Sequence, residues 1–238
     1  MEKDYLIAGL RIRMDTFGRT EKQAAPYLTE TAGEPDLIIN SDAEKLREKQ
    51  PHLSLEDCEY LSTGGSFYRQ LLQHDGMLIH ASAVVVDGYA YLFSAPCGTG
   101  KSTHTTMWRE AFGYDRVQML NDDKPAIRFE NGRWYAYGTP WSGKTAQNSN
   151  IRAPLGGVCM LSRGDTNEIA PYGGVSAVFA LLEQTARPYY PGAREKVLEL
   201  LDCLLREVPV WKLKCTPTTE AARVSYEAMS KEAKKRFE

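Results

Sequence analysis

Residues 89–103 read Tyr89-Ala90-Tyr91-Leu92-Phe93-Ser94-Ala95-Pro96-Cys97-Gly98-Thr99-Gly100-Lys101-Ser102-Thr103. An apolar run enters a Gly-rich turn that closes on Gly-Lys-Ser, and a helical pattern follows to about Phe112. Strand, loop and helix in this order match G-x-x-x-x-G-K-[ST], with Ala95 in place of the first glycine. Gly98 and Gly100 let backbone N–H groups turn inward around phosphate oxygens. Lys101 brings a point charge to the β- and γ-phosphates, Ser102 offers a hydroxyl to Mg²⁺, and the helix presents its positive end to the anion. The nine residues Ala95, Pro96, Cys97, Gly98, Thr99, Gly100, Lys101, Ser102 and Thr103 therefore form a candidate nucleotide-binding loop. Cys97 occupies one of its variable positions and is read as a bystander.

Working outward, Met77 to Val86 is apolar and β-branched, and Asp87-Gly88 separates it from Tyr89. Strands around an Asp-Gly turn predict a hairpin, because that turn needs positive φ. The hairpin folds His80 back beside the mouth of the loop, within reach of an aspartate or a phosphate. Downstream, a strand over Val117 to Leu120 ends in Asn121-Asp122-Asp123. Ligand sites in α/β sheets gather at such strand ends. One carboxylate suits a hard Mg²⁺ ion and the other the proton of an attacking hydroxyl. A second hairpin is predicted at Asn131-Gly132. The loop Gly138 to Lys144 that follows is rich in small residues and ends in a cation, which makes Lys144 a candidate substrate or transition-state contact, with Arg152 and Arg187 as alternatives. His104 and Trp108 fall one turn apart on the helix after the loop, where core packing is the default.

Elsewhere the signals are ordinary. Tyr5 to Met14 alternates as one half-buried strand, with Leu6, Leu10, Ile12 and Met14 on one parity. A short helix is expected near Glu21 to Ala25, a strand over Asp36 to Ile39, and a helix capped by Ser41 and running to Glu48. Leu55 to Leu61 reads as a strand and Phe67 to Gln73 as a helix. Leu155 to Leu161 is a buried strand, Val175 to Leu182 and Ala193 to Arg206 are helices, Val208 to Lys214 is a strand, and Pro217 opens a final helix.

The chain of 238 residues is long enough for a full core without disulfides or metal staples. Its net charge of -2, from 29 basic and 31 acidic residues, disfavours a nucleic-acid binder. No apolar run approaches a membrane span, and the start Met1-Glu2-Lys3-Asp4 lacks an apolar signal core. The five cysteines are odd in number with no C-x-x-C, which predicts reduced thiols and a cytoplasmic location, with no membrane partner.

Taken together, His80, the hairpin, the phosphate loop and Asn121-Asp122-Asp123 resemble the catalytic domain of HPr kinase/phosphorylase, within the wider group that carries phosphoenolpyruvate carboxykinase-like P-loops. The matched order covers about residues 76 to 130, with weaker similarity to about 230. The resemblance implies an α/β fold: a mixed β-sheet P-loop domain of the HPr kinase C-terminal type over 76–238, with a small N-terminal α+β extension over 1–75 packed on it. It implies ATP and Mg²⁺ as cofactors, with Lys101 and Ser102 on phosphate and metal. It implies Asp122 as the base, Asp123 as a metal ligand and His80 as support for the base. It also brings the expectation of a homo-oligomer.

The chain departs from the family in two places. Where the family carries glutamate before an Ile-Arg-Gly run, this chain has Asn150 before Ile151-Arg152-Ala153. The first 75 residues have no counterpart to the large N-terminal domain of the bifunctional enzyme. The expectation is an ATP- and Mg²⁺-dependent kinase acting on a hydroxyl of a protein, peptide or small molecule. The alternatives are carboxykinase-like phosphoryl chemistry on a small acid and a non-catalytic nucleotide-binding module that docks a partner.

Overall fold

A computed structural model describes residues 2–31, 33–186 and 188–237. The chain forms an α/β structure with a mixed β-sheet. Its N-terminal portion opens on strands β1 (Lys3–Ile7) and β2 (Leu10–Met14), which pair antiparallel. The single strand expected over Tyr5 to Met14 is thus a hairpin. Ala8 and Gly9 both take positive φ, +53° and +75°, which is the geometry of a tight turn. The turn also shifts the buried parity: Leu10, Ile12 and Met14 face inward, but Tyr5 and Ile7 replace the exposed Leu6. After helix α1 (Gly18–Ala24), strand β3 (Leu37–Ile39) adds parallel to β2 and completes a three-stranded sheet.

Helix α2 (Ala43–Lys49) has Asp42 rather than Ser41 at its N-cap, while the Ser41 hydroxyl, one residue earlier, accepts the Ala43 N–H at 3.3 Å. Helix α3 (Leu55–Leu71) corrects the strand expected over Leu55 to Leu61. Ser54 caps it by accepting the Asp57 N–H at 3.0 Å and donating to the Asp57 carboxylate at 2.8 Å. The cap satisfies one orphan N–H of the first turn, and the hydroxyl-to-carboxylate bond holds Ser54 in place to do so, which favours a helix start here despite the apolar content.

Among the described residues the main sheet has nine strands. Its path runs β4 (Gly76–Leu78), β8 (Ala126–Glu130), β9 (Arg133–Tyr137), β10 (Arg152–Arg163), β6 (Tyr89–Ser94), β5 (Ala81–Val86), β7 (Gln118–Asn121). Strand β12 (Val210–Cys215) adds parallel to β10, and β11 (Glu168–Pro171), absent from the sequence reading, pairs with β12. The apolar run 77–86 is two strands rather than one, with the break at Ile79-His80. There the chain leaves β8 as partner and joins β6. The hairpin at Asp87-Gly88 forms as the sequence predicts, with φ of +51° and +84°. So does the hairpin at Asn131-Gly132.

Helix α4 (Lys101–Phe112) leaves β6 through the Gly-rich loop. Helix α7 (Thr219–Phe237) packs beside it, burying Ala221, Ala222, Ser225, Met229 and Ala233 and leaving Lys231, Lys234 and Lys235 in solvent. Trp108 is fully buried in this layer with Tyr91, Phe93 and Met229. Helices α5 (Gly174–Glu183) and α6 (Ala193–Glu207) share a core with β4, β5, β6, β9 and β10. A further core joins Tyr5, Ile12, Met14, Phe67 and Leu71 to Ala126, Tyr137 and Trp141. No helix among the described residues is long and apolar enough to cross a membrane.

Candidate functional site

Strand β6 delivers the chain to Ala95, and α4 takes it up again at Lys101. Between them, Gly98 and Gly100 sit at φ of +77° and +120°, a region that L side chains rarely adopt. A Cβ on either would meet no atom within 4 Å, so both face open space. This open backbone leads directly into the N-terminus of α4, the end of a helix that favours negative charge. Lys101 is buried and its Nζ donates to the Ala95 carbonyl at 2.9 Å, folded across the base of the loop. Burial pulls the Lys101 ammonium below its ordinary value, against the raising influence of Asp123. Arg163, at the end of β10, donates to the Thr99 carbonyl at 3.3 Å and to the Gly98 carbonyl, which braces the loop from the far side.

A cavity of about 450 Å³ lies over this loop. His80, Lys101, Ser102, Asp122, Asp123 and Lys144 all line it, together with Cys97, Gly98, Gly100 and Thr103. Sequence-distant elements thus bring ten of the candidate site residues to one place. The paired aspartates arrive at the end of β7, two strands from β6 with β5 between.

The two carboxylates differ in surroundings. Asp122 is buried, with one oxygen accepting from the Ser82 hydroxyl at 2.6 Å and the other from Thr145 at 2.9 Å. Ser82, whose own proton goes to Asp122, accepts in turn from the Thr105 hydroxyl at 2.7 Å, so Asp122 is tied to α4. Asp123 lies against two nitrogen groups, His80 Nε2 at 3.2 Å and the Lys124 ammonium. Burial alone would raise the Asp123 carboxyl, but the His80 hydrogen bond and the Lys124 charge outweigh it and hold it below the ordinary 3.8. The pairing expected between His80 and Asp122 is therefore corrected. His80 sits in the break between β4 and β5, fixed by its N–H to the Gln184 carbonyl at 2.7 Å, with Nδ1 3.2 Å from Gln184 Oε1. From there its other nitrogen reaches Asp123, while both Asp122 oxygens are taken by Ser82 and Thr145.

The remaining candidates fall elsewhere. Arg152 opens β10, where it bonds Glu130 at 3.5 Å and lies over the Tyr135 ring at 5.0 Å, and it does not line the cavity. The strand runs further back than its apolar residues suggest, which places Arg152 at its start rather than its business end. Arg187 lies outside the described residues. Asn150 donates to the Pro26 carbonyl at 3.3 Å, again away from the cavity. His104 is buried against Ser225 at 3.1 Å and Trp108 at 3.2 Å, and burial pushes it down to about 3. It is a core residue, as its default reading had it.

Ser142 and Gly143 belong to the candidate loop Gly138 to Lys144 and do line the cavity; sequence reasoning missed Ser82, Lys124, Thr145 and Gln184. Lys124 directly follows the aspartates and could have been found by proximity. The others depend on which strand ends and loops converge. A second cavity, about 350 Å³, flanks the loop opposite the aspartates, lined among others by Thr99, Thr103, Arg163, Cys215 and Thr216. Among the described residues no three His, Cys, Asp or Glu side chains are grouped to hold a metal by themselves. The oxygen donors at hand, Ser102 and the aspartates, fit a hard cation that shares its coordination with phosphates and water.

Compared with solved structures, the chain is similar to the HPr(Ser) kinase/phosphatase from Coxiella burnetii, at 11% identity and a TM-score of 0.40, over 65% of this chain and 97% of that one. No curated protein matches it. The family model described as SynChlorMet cassette protein ScmC matches residues 56–220, and the chain belongs to that family.

Proposed function

We propose that the protein is an ATP- and Mg²⁺-dependent kinase that transfers the γ-phosphate to a hydroxyl of a protein, peptide or small molecule. The observation that carries this reading is the single cavity shared by Lys101, Ser102, His80, Asp122, Asp123 and Lys144. The loop from Ala95 to Thr103 holds the phosphates, and the cavity beside Arg163 and Thr216 offers room for the nucleoside. Ser102 and Asp122 would hold Mg²⁺, which when bound neutralises phosphate charge. Asp123 takes the proton of the attacking hydroxyl, oriented by His80, as that oxygen bonds to the γ-phosphorus and the bond to the leaving phosphate breaks. Lys101, freed from Ala95, and Lys144 supply cations to the transferring group. This exchanges the two aspartate roles implied by the family resemblance, because it is Asp123 that bonds His80.

A second reading is a nucleotide-binding module without turnover. Asn150, at the position of the family's glutamate, favours it, because its side chain bonds Pro26 and adds no carboxylate to the cavity. Nucleotide affinity and phosphate transfer, followed by mass spectrometry over a panel of acceptors, separate the two. Lys101→Ala is expected to lose at least about tenfold in affinity for ATP. Asp123→Asn is expected to keep affinity within about twofold and lose about a hundredfold or more in turnover. Equal affinity in wild type and Lys101→Ala overturns the phosphate site. Tight binding with no product on any acceptor selects the module.

A further inference from the structure

The loop that carries Ser142 to Thr145 into the cavity is held from outside the P-loop portion of the chain. Gly143 has both of its backbone polar groups occupied. Its N–H donates to the Tyr60 hydroxyl at 2.7 Å, and its carbonyl accepts from Gln23 Nε2 at 2.9 Å. Tyr60 belongs to α3 and Gln23 to α1. The Gln23 carbonyl also accepts from Asn148 Nδ2 at 3.0 Å, which ties the far end of the same loop to α1. Tyr60 is itself fixed, with the Arg19 guanidinium 4.0 Å over its ring and Arg19 bonded to Asp57 at 2.9 Å.

What the clamp holds is chemically pointed. Gly143 sits at φ +73°, and a Cβ there would come within 3.2 Å of the Asp123 Cβ, so the loop rests directly on that residue. Two residues on, Thr145 donates to Asp122 at 2.9 Å. One residue back, the Ser142 hydroxyl is buried, has no hydrogen-bond partner, and lines the cavity. A buried hydroxyl left unpaired in this way costs free energy unless a ligand completes it.

We propose that Gln23 and Tyr60 are positioning residues of the candidate site, holding Gly143 so that Thr145 stays on Asp122 and the Ser142 hydroxyl faces the ligand. The N-terminal segment then braces one wall of the site from behind, through the Gly143 backbone. The inference rests on the phosphotransferase reading for its kinetic consequence and on geometry alone for the clamp.

Tyr60→Phe and Gln23→Leu in the full chain test it, with three measurements on each: kcat and KM for Mg-ATP, equilibrium affinity for ATP, and amide hydrogen exchange at Gly143. The loss of one hydrogen bond is expected to lower kcat about fivefold to tenfold and to speed Gly143 exchange by a similar factor. ATP affinity is expected to stay within about twofold, because the phosphate loop is untouched. A merely structural role would lower affinity and kcat together, and that result overturns the proposal, as do unchanged kcat and unchanged exchange. If the wild type turns over no nucleotide, the phosphotransferase reading fails by itself. Gly143 exchange then decides the clamp, surviving if exchange accelerates in Tyr60→Phe and falling if it does not.

Discussion

Two adjacent glycines on α3 permit a controlled test of how tightly the N-terminal segment is fitted to the candidate site. Gly64 faces Trp141, the residue just before Ser142. A Cβ at Gly64 would stand 2.8 Å from Trp141 Cδ1 and 3.0 Å from Nε1. The indole has nowhere to retreat. It is fully buried, stacked on Phe67 at 4.8 Å, edge-on to Tyr68 at 5.6 Å, and bonded to Thr63 at 3.2 Å. Gly65, one residue on, would place its Cβ 3.4 Å from an Arg69 guanidinium nitrogen, the mobile end of an exposed side chain.

Both substitutions to alanine gain about 1 kcal/mol of helix propensity. Gly64→Ala alone pays for overpacking, about 1–3 kcal/mol. Gly65→Ala should therefore be stabilised by about 1 kcal/mol, while Gly64→Ala falls between neutral and roughly 2 kcal/mol destabilised. At about 2–4 °C per kcal/mol for a chain of this size, the two variants should melt roughly 2–12 °C apart. Thermal unfolding followed by circular dichroism measures this, with urea midpoints as a check on the scale. If Gly64→Ala melts at or above Gly65→Ala, the packing of Trp141 against α3 is wrong, and so is the account of how the loop is anchored.

Two further outcomes are expected. Glu59 is fully buried, with one carboxylate oxygen accepting from Thr20 and the other without a hydrogen-bond partner, and burial pushes its carboxyl from 4.5 up to about 7. The folded state keeps this proton where the unfolded chain has lost it, so the stability it contributes is full below about 4.5 and declines as pH rises to about 7. Glu59→Gln should flatten that decline and be the more stable protein at pH 8, measured by denaturant unfolding; an unchanged slope would refute it. Arg152→Ala should leave ATP affinity within about twofold, because Arg152 pairs with Glu130 outside the cavity, and a larger loss would return it to the site.

The Gly-rich loop and its helix were legible because local chemistry alone specifies them: glycines where φ is positive, and a Gly-Lys-Ser that opens a helix ending at Phe112. The hairpins at Asp87-Gly88 and Asn131-Gly132 were legible for the same reason. The turn at Ala8-Gly9 was not, because alanine at positive φ leaves no compositional trace. The start of α3 did carry a local signal, Ser54 three residues before Asp57, and the apolar run from Leu55 masked it.

The candidate site divides similarly. That His80 and the aspartates share a cavity follows from strand order. That His80 meets Asp123 rather than Asp122 depends on the break between β4 and β5, which no alternation pattern marks. Gln23 and Tyr60 lay beyond reach because their bonds to Gly143 span 120 and 83 residues of chain.

Strand β10 has a consequence for how this molecule comes into being. Its early residues pair antiparallel with β9, while its later ones pair parallel with β6 on one side and β12 on the other. The switch falls between Pro154 and Leu155, and the register slips just after it at Gly156, where a Cβ would stand 2.9 Å from the Tyr91 ring. Its partners β6 and β12 lie far off along the chain on opposite sides, so neither can be found by a local search. Loop closure must come before either pairing is rewarded, which is the condition for slow folding. On a ribosome the strand emerges with β6 and β9 already made but β12 still unsynthesised. One edge of β10 then lies open until Val210–Cys215 arrives, and an open edge is a place for a nascent chain to meet a neighbour.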